Sequence, residues 1–356
     1  MEYAKKIEET FIDLARINSV SGSEEHLIDY LSPKLGKLGF AVTVDSHKNL
    51  FAKNFTGKST DSLLLSAHLD TTESTSGINI VKEGNIIRTD GSTILGADNK
   101  AAIAEILVAL EKLSTEGIKR DIEVIFSSGE EAGLKGIKLF DIKKINSKTG
   151  LTLDCCREFG NVVLAAPGAY VVTILVKGKA RHGSDTAKGI NSIEIAAKGI
   201  ATFREDSEKI ISNFGVINGG TTPNTVPEET TVIMSFRSFY PEESKIFIEK
   251  LKDHFQKVSD ASGAVISFDV YEVGKAYRHK SNDAFIEMVT QVTKKIEPKT
   301  KSIESFGLTD ANYLNGFGIK TVEIGYGVSQ VHTRQEEADL VEMQKTVDFL
   351  VELLQV

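Results

Sequence analysis

Disulfides, membrane spans and a basic surface are all missing from this sequence. Its only cysteines, Cys155 and Cys156, are adjacent. Neighbouring cysteines rarely pair, so no disulfide framework exists and a reducing cytoplasm fits best. They read as small buried hydrophobes at a strand end. No segment approaches the roughly 18 uninterrupted apolar residues of a membrane span. The longest apolar stretch, Ala101 to Leu110, is broken by Glu105. The N-terminus, Met1 to Thr10, alternates charge and lacks the apolar stretch of a signal peptide. A net charge of −8 argues against nucleic acid and anionic membrane as partners, because both reward a basic face. No internal repeat or low-complexity segment interrupts the chain.

What is present is ordinary globular material: 41% apolar and 26% charged residues over 356 positions. That length exceeds the roughly 250–300 residues at which single cores stop growing, so more than one core is expected. Helical periodicity runs from Thr10 to Leu38, interrupted by the turn-like Asn18 to Ser23, with Ser23 reading as a helix start. Three apolar runs then read as buried strands: Ser62–Ala67, Ile122–Phe126 and Gly150–Leu153. Between the first two, Ile103, Ile106, Leu107, Leu110 and Leu113 form one apolar helical stripe. Strands alternating with helices imply an α/β sheet covered on both faces.

From about Tyr170 the pattern changes. Strand Val171–Val176, helix Ser192–Phe203, strands Asn213–Ile217 and Thr230–Phe236, helix Pro241 to about Val258 and strand Ala264–Val273 follow in order. That is β-α-β-β-α-β, the order of a ferredoxin-like α+β unit. Helix Asp283–Ile296, strand Thr321–Ile324 and a terminal helix from Glu336 to Leu354 then resume the first pattern. The expectation is an α/β catalytic domain built from residues 1–167 and 276–356, with a smaller domain inserted at 168–275.

The chemistry-bearing residues fall where open α/β sheets collect ligands, at the carboxyl ends of the expected strands. His68 and Asp70 follow the first run, Glu130 and Glu131 the second, and Asp154 ends the third; Asp98 opens the helix and His332 follows the last strand. In an extended chain residues two apart share a face, so Asp70 can reach the vicinity of His68. Adjacent Glu130 and Glu131 point different ways, which frees one for metal and one for a proton. Two histidines and three carboxylates, one of them shared, would give each of two metals a nitrogen and two oxygens, with a position open for water. Singly, each residue has a bland reading: Asp98 as a helix cap, Glu130–Glu131 and Asp154 as loop residues, His332 as a surface histidine. Their joint occurrence, in order, on one sheet carries the argument.

At this point the sequence resembles a known family: the di-zinc aminopeptidases, carboxypeptidases and aminoacylases with an inserted lid domain, and within it the tripeptidase T-like branch. The resemblance rests on Ser66-Ala67-His68-Leu69-Asp70-Thr71, Gly96-Ala97-Asp98-Asn99-Lys100, Ser128-Gly129-Glu130-Glu131-Ala132-Gly133, Leu153-Asp154 and Val331-His332-Thr333. It implies a zinc-exopeptidase-like catalytic domain, a mixed sheet flanked by helices, carrying a ferredoxin-like lid. By position it implies that Asp98 bridges two metals, His68 and Asp154 completing one site and Glu131 and His332 the other. Asp70 would orient His68, and Glu130 would be the general base. The Asp98–Asn99 peptide would be cis. His182, in Lys177 to Gly183, would stabilise the tetrahedral intermediate, with a turn-capping role as the bland alternative. Asn224, Arg237 and Gly307 would contact substrate. Ser305, Phe306 and Arg181 depart from the pattern and bear on which substrate is admitted.

The function so implied is a metal-dependent exopeptidase of the cytoplasm acting on short peptides, with two divalent ions, zinc by residue type and cobalt or manganese as alternatives. A homodimer through the lid domain is implied by resemblance. The competing readings are an aminoacylase, deacylase or carboxypeptidase on N-acyl amino acids or dipeptides, and a non-catalytic paralogue that binds a ligand.

Overall fold

The three apolar runs expected as buried strands become the middle of one sheet. In the computed structural model, which describes residues 2–55, 62–205 and 207–355, they are the strands Ser62–His68, Asp121–Ser127 and Thr149–Cys155. Across the sheet the order is Ala41–Val44, Leu50–Asn54, Asp121–Ser127, Ser62–His68, Thr149–Cys155, Lys320–Gly325 and Asn161–Ala166, with Lys301–Glu304 also paired to the last. The central four strands are mutually parallel, whereas Leu50–Asn54 and Asn161–Ala166 join them antiparallel. Their carboxyl ends therefore share one edge.

Alternation along Ser62–His68 feeds two cores. Leu63 and Leu65 join the larger apolar cluster, and Leu64 joins a smaller one with Phe51, Ile125 and Phe140 on the other face. The helix Ala97–Glu116 departs from the single stripe read in the sequence: it is buried from Ala97 through Leu110, Lys100 and Glu105 included. Helices Glu2–Ala15 and Leu340–Leu353 pack on it from outside while the strands Ser62–His68 and Thr149–Cys155 lie beneath. Two helix starts also differ from expectation. Glu24, not Ser23, precedes the helix Glu25–Lys37, and its buried carboxylate accepts from the backbone N–H of Gly22 and Gly129. The terminal helix begins at Leu340, capped by Asp339. Glu336 to Asp339 are not helical because strand Glu337–Asp339 pairs with Ile86–Thr89 in a second small sheet.

By contact the chain divides into two units, residues 1–166 with 278–356, and residues 167–277. In the second unit, neighbouring strands are all antiparallel, in the order Ile211–Gly219, Glu229–Ser238, Gly168–Lys177 and Val265–Gly274. Helices Ser192–Thr202 and Pro241–Asp260 cover one face, sealing a core of Val172, Ile174, Met234, Phe236, Phe247 and Phe255. This is the expected ferredoxin-like unit. Among the described residues no helix is long and apolar enough to cross a membrane.

Candidate metal centre

Strand register sets the site. His68 pairs with Ser127, and Ser66 pairs with Thr152, which brings His68 and Asp154 to one level at the carboxyl edge of the sheet. The loop from Leu95 to Asp98 descends onto that edge. Its Gly96 has φ of 68°, and a Cβ there would come within 3.0 Å of Thr75 Cγ2, so only glycine fits both the backbone and the space.

Asp98 is the hub. His68 Nε2 stands 3.2 Å from its Oδ1, and His332 Nε2 stands 3.2 Å from its Oδ2. Each histidine meets a second carboxylate: Asp154 Oδ1 lies 3.7 Å from His68 Nε2, and Glu131 Oε1 lies 2.8 Å from His332 Nε2. The five residues expected to hold metal are thus together, with one carboxylate facing both histidines. The Asp98–Asn99 peptide is cis. The Asn99 amide donates to the Leu153 carbonyl and to Asp154 Oδ1, tying the Asp98 loop to the strand end.

Asp70 meets His68 chiefly through its backbone. The His68 Nδ1 hydrogen bond goes to its main-chain carbonyl at 2.9 Å, and the carboxylate stands at 3.5 Å. The carboxylate is occupied instead by the backbone N–H of Glu130 (2.9 Å) and Glu131 (3.1 Å) and by the Ser21 hydroxyl. It fixes the backbone from which those two side chains diverge.

Charge is crowded here. Burial, reinforced by Asp310, Glu131 and Asp70 and opposed by His68, pushes the Glu130 carboxyl well above the usual range. Burial does the same to Asp154, aided by Asp98. At Asp98 burial opposes ionisation, but hydrogen bonds to His332 and His68 together outweigh it and hold the carboxyl low. Those bonds to Asp98 and Glu131 raise His332 to about 10. Three carboxylates and two imidazoles this close form a hard oxygen and nitrogen donor set suited to a divalent ion such as zinc, cobalt or manganese. His68, Asp98 and Glu131 offer donor atoms all within 4.8 Å of one another, as do Asp98, Asp154 and Cys156.

Sequence reasoning missed five contributors. The buried Glu336 carboxylate accepts from the backbone N–H of Leu95 (3.0 Å), Gly96 (2.7 Å) and Asp98 (2.8 Å). Burial lifts it to about 7 despite those bonds. Lys100, equally buried, donates to the Ile17 carbonyl, and burial lowers it to about 7. Tyr326 donates its hydroxyl to Asp98 Oδ1 at 3.0 Å. Cys156 is more than a packed hydrophobe: its Sγ lies 3.6 Å from Asp98 Oδ2. The buried Asp310, bonded to the Ser127 hydroxyl, is raised to about 6 by burial.

In the second unit, His182 and Asn224 come together on a short ribbon: His182 pairs with Thr225, and Gly183 N–H donates to the Asn224 carbonyl. The His182 ring accepts contacts from Ser184, closing its own turn. Arg237 is not with them. It pairs with Ala169 and sits eight residues along its strand from Glu229, about 26 Å at roughly 3.3 Å per residue. Gly307 lies in an exposed loop, in the first unit, where its N–H donates to the Ser305 hydroxyl.

Comparison with known proteins adds a family context to this geometry. Residues 165–262 match the peptidase dimerisation domain, and residues 49–208 match peptidase family M28. Peptidase T of Bacillus subtilis is 30% identical, the alignment covering 89% of this chain and 80% of that protein. The uncharacterized protein YqjE of the same organism is 32% identical over 99% of this chain and 98% of its own length. The crystal structure of a tripeptidase from Staphylococcus aureus superposes with a TM-score of 0.93 at 26% identity, covering 99% of this chain and 98% of that one.

Proposed function

This chain belongs to the peptidase T family and is a metal-dependent exopeptidase, and we propose that it trims short peptides, di- and tripeptides above all, with two zinc ions. The observation that carries the reading is the Asp98 carboxylate, one oxygen toward His68 and the other toward His332. His68 and Asp154 would hold one ion, Glu131 and His332 the other, with Asp98 common to both. When bound, the pair supplies positive charge that polarises the scissile carbonyl and favours loss of a proton from water.

The rest is the work of the chain's own residues. The Glu130 carboxylate takes a proton at a side-chain oxygen and passes it to the departing amine. The burial that raises it suits a group that must hold a proton and release it. Asp70 keeps Glu130 and Glu131 on a fixed backbone. Its carbonyl bonds His68 Nδ1, so Nε2 faces Asp98 and Asp154. His182, Asn224, Arg237 and Gly307 are proposed as substrate contacts, each to be read by its effect on KM.

A homodimer is part of this reading. The strand Ile211–Gly219 lies at a sheet edge, and Ile211, Val216 and Ile217 on it are 54%, 50% and 50% exposed. Apolar edge strands are pairing surfaces. Free Cys155 and Cys156 fit a cytoplasmic setting.

The test is a panel of free-amine and N-blocked di- and tripeptides against wild type and Glu130→Gln at saturating zinc. Free-amine peptides should be cleaved, and the variant should lose about 10²–10⁴-fold in kcat with zinc content unchanged. Cleavage of N-acylated substrates alone would move the assignment to an aminoacylase, and equal activity in the variant would overturn the mechanism.

A further inference from the structure

We propose that the Cys156 thiol is a further donor to the metal pair on its Asp98–Asp154 side, selecting thiophilic ions there; this rests on the metal centre proposed above. Cys156 follows Asp154 by two residues at the end of the strand Thr149–Cys155, so the two side chains share a side. Cys155, between them, is turned away and 4% exposed. Cys156 Sγ lies 3.6 Å from Asp98 Oδ2, 3.8 Å from the Asp154 carbonyl and 3.6 Å from the Tyr326 hydroxyl. Donor atoms of Asp98, Asp154 and Cys156 all fall within 4.8 Å of one another. Asp98 and Asp154 are assigned as ligands on grounds independent of the cysteine, so the thiol joins a site rather than defining one.

The thiol thus stands beside the Asp98 carboxylate that both ions would share. On ligation the sulfur lone pair forms the metal–sulfur bond, and the thiol proton leaves to solvent. Adding one soft donor to an otherwise oxygen and nitrogen set favours zinc and cadmium over manganese. A bystander thiol, donating only a weak S–H bond to Asp98, would not do this.

Cobalt(II) separates the two. Metal-free protein loaded with cobalt should show a sulfur-to-cobalt charge-transfer band in the near ultraviolet together with visible d–d bands. Cys156→Ser should lose the charge-transfer band and keep the d–d bands. The same variant should bind cadmium at least about 10-fold more weakly while manganese affinity changes little. Should Cys156→Ser not fold, Cys155→Ser leaves Cys156 as the sole thiol and must retain the band. Wild type with d–d bands and no charge-transfer band overturns the proposal and leaves the metal centre standing. Wild type with no d–d bands removes the metal centre, and the proposal with it.

Discussion

The two units bury different things. Among the described residues, the catalytic unit hides Glu24, His68, Asp70, Asp98, Lys100, Glu105, Glu130, Asp310 and Glu336, whereas the inserted unit buries no charged side chain. Its buried polar groups are hydroxyls, such as Ser192 and Thr230, which bond each other. Its core is instead aromatic, with Phe203 and Phe236 both packed against Phe247. Charge is costly to bury unless paired. The difference teaches that one unit is organised around chemistry and the other around packing, and that pH and metals act chiefly on the first.

The largest effect that sharpens this contrast comes from the packed core. Phe255 is fully buried in the inserted unit, and Phe255→Ala should remove about 3–5 kcal/mol from it. Hydrogen exchange should report loss of protection in the strand Gly168–Lys177, with zinc affinity unchanged. Parallel loss of zinc binding would break the contrast.

A smaller effect should follow pH. Burial holds Asp310 at about 6 rather than the usual 3.8, so the folded state binds the extra proton between those values. Its contribution is complete below 3.8 and is lost as pH rises through 6. At about 1.4 kcal/mol per pH unit this amounts to about 3 kcal/mol. Asp310→Asn should therefore gain on wild type by that amount between pH 4 and pH 7, read from denaturant melts of metal-free protein. Identical pH profiles would show that Asp310 does not titrate there.

The smallest concerns Glu336, a positioning residue acting through three backbone N–H groups. Glu336→Gln keeps the shape but puts an amide where an acceptor is needed. Zinc affinity should fall about 10–100-fold, and Glu336→Asp should recover part of it. Zinc titration of both variants checks this, and unchanged affinity in Glu336→Gln would make the carboxylate merely structural.

These residues also mark where sequence reading stops. The strand ends were legible because apolar runs alternate with helices and because His68, Glu130 and Asp154 each follow such a run. The inserted unit was legible from its element order, and the cis peptide from family resemblance. Glu336 was not, since its partners are backbone N–H groups that any residue carries, some 240 positions away. It was read into the terminal helix because its neighbours are good helix formers, whereas pairing of Glu337–Asp339 with Ile86–Thr89 prevails. The helix Ala97–Glu116 showed a stripe because periodicity registers one packing partner; contact with both sheet and outer helices erases the distinction between its faces. Glu105, inside it, lacks a hydrogen-bond partner, and burial pushes its carboxyl well up.

The grip of Glu336 on the Leu95–Asp98 loop has a consequence for synthesis. A ribosome makes the strands carrying His68 and Asp154, and the turn carrying Glu131, well before the loop's anchor and His332. Closing so long a loop is a late event. A nascent chain shorter than 336 residues lacks the anchor of its own Asp98 loop, so the cluster of His68, Asp98 and His332 assembles only after these distant segments have all been made.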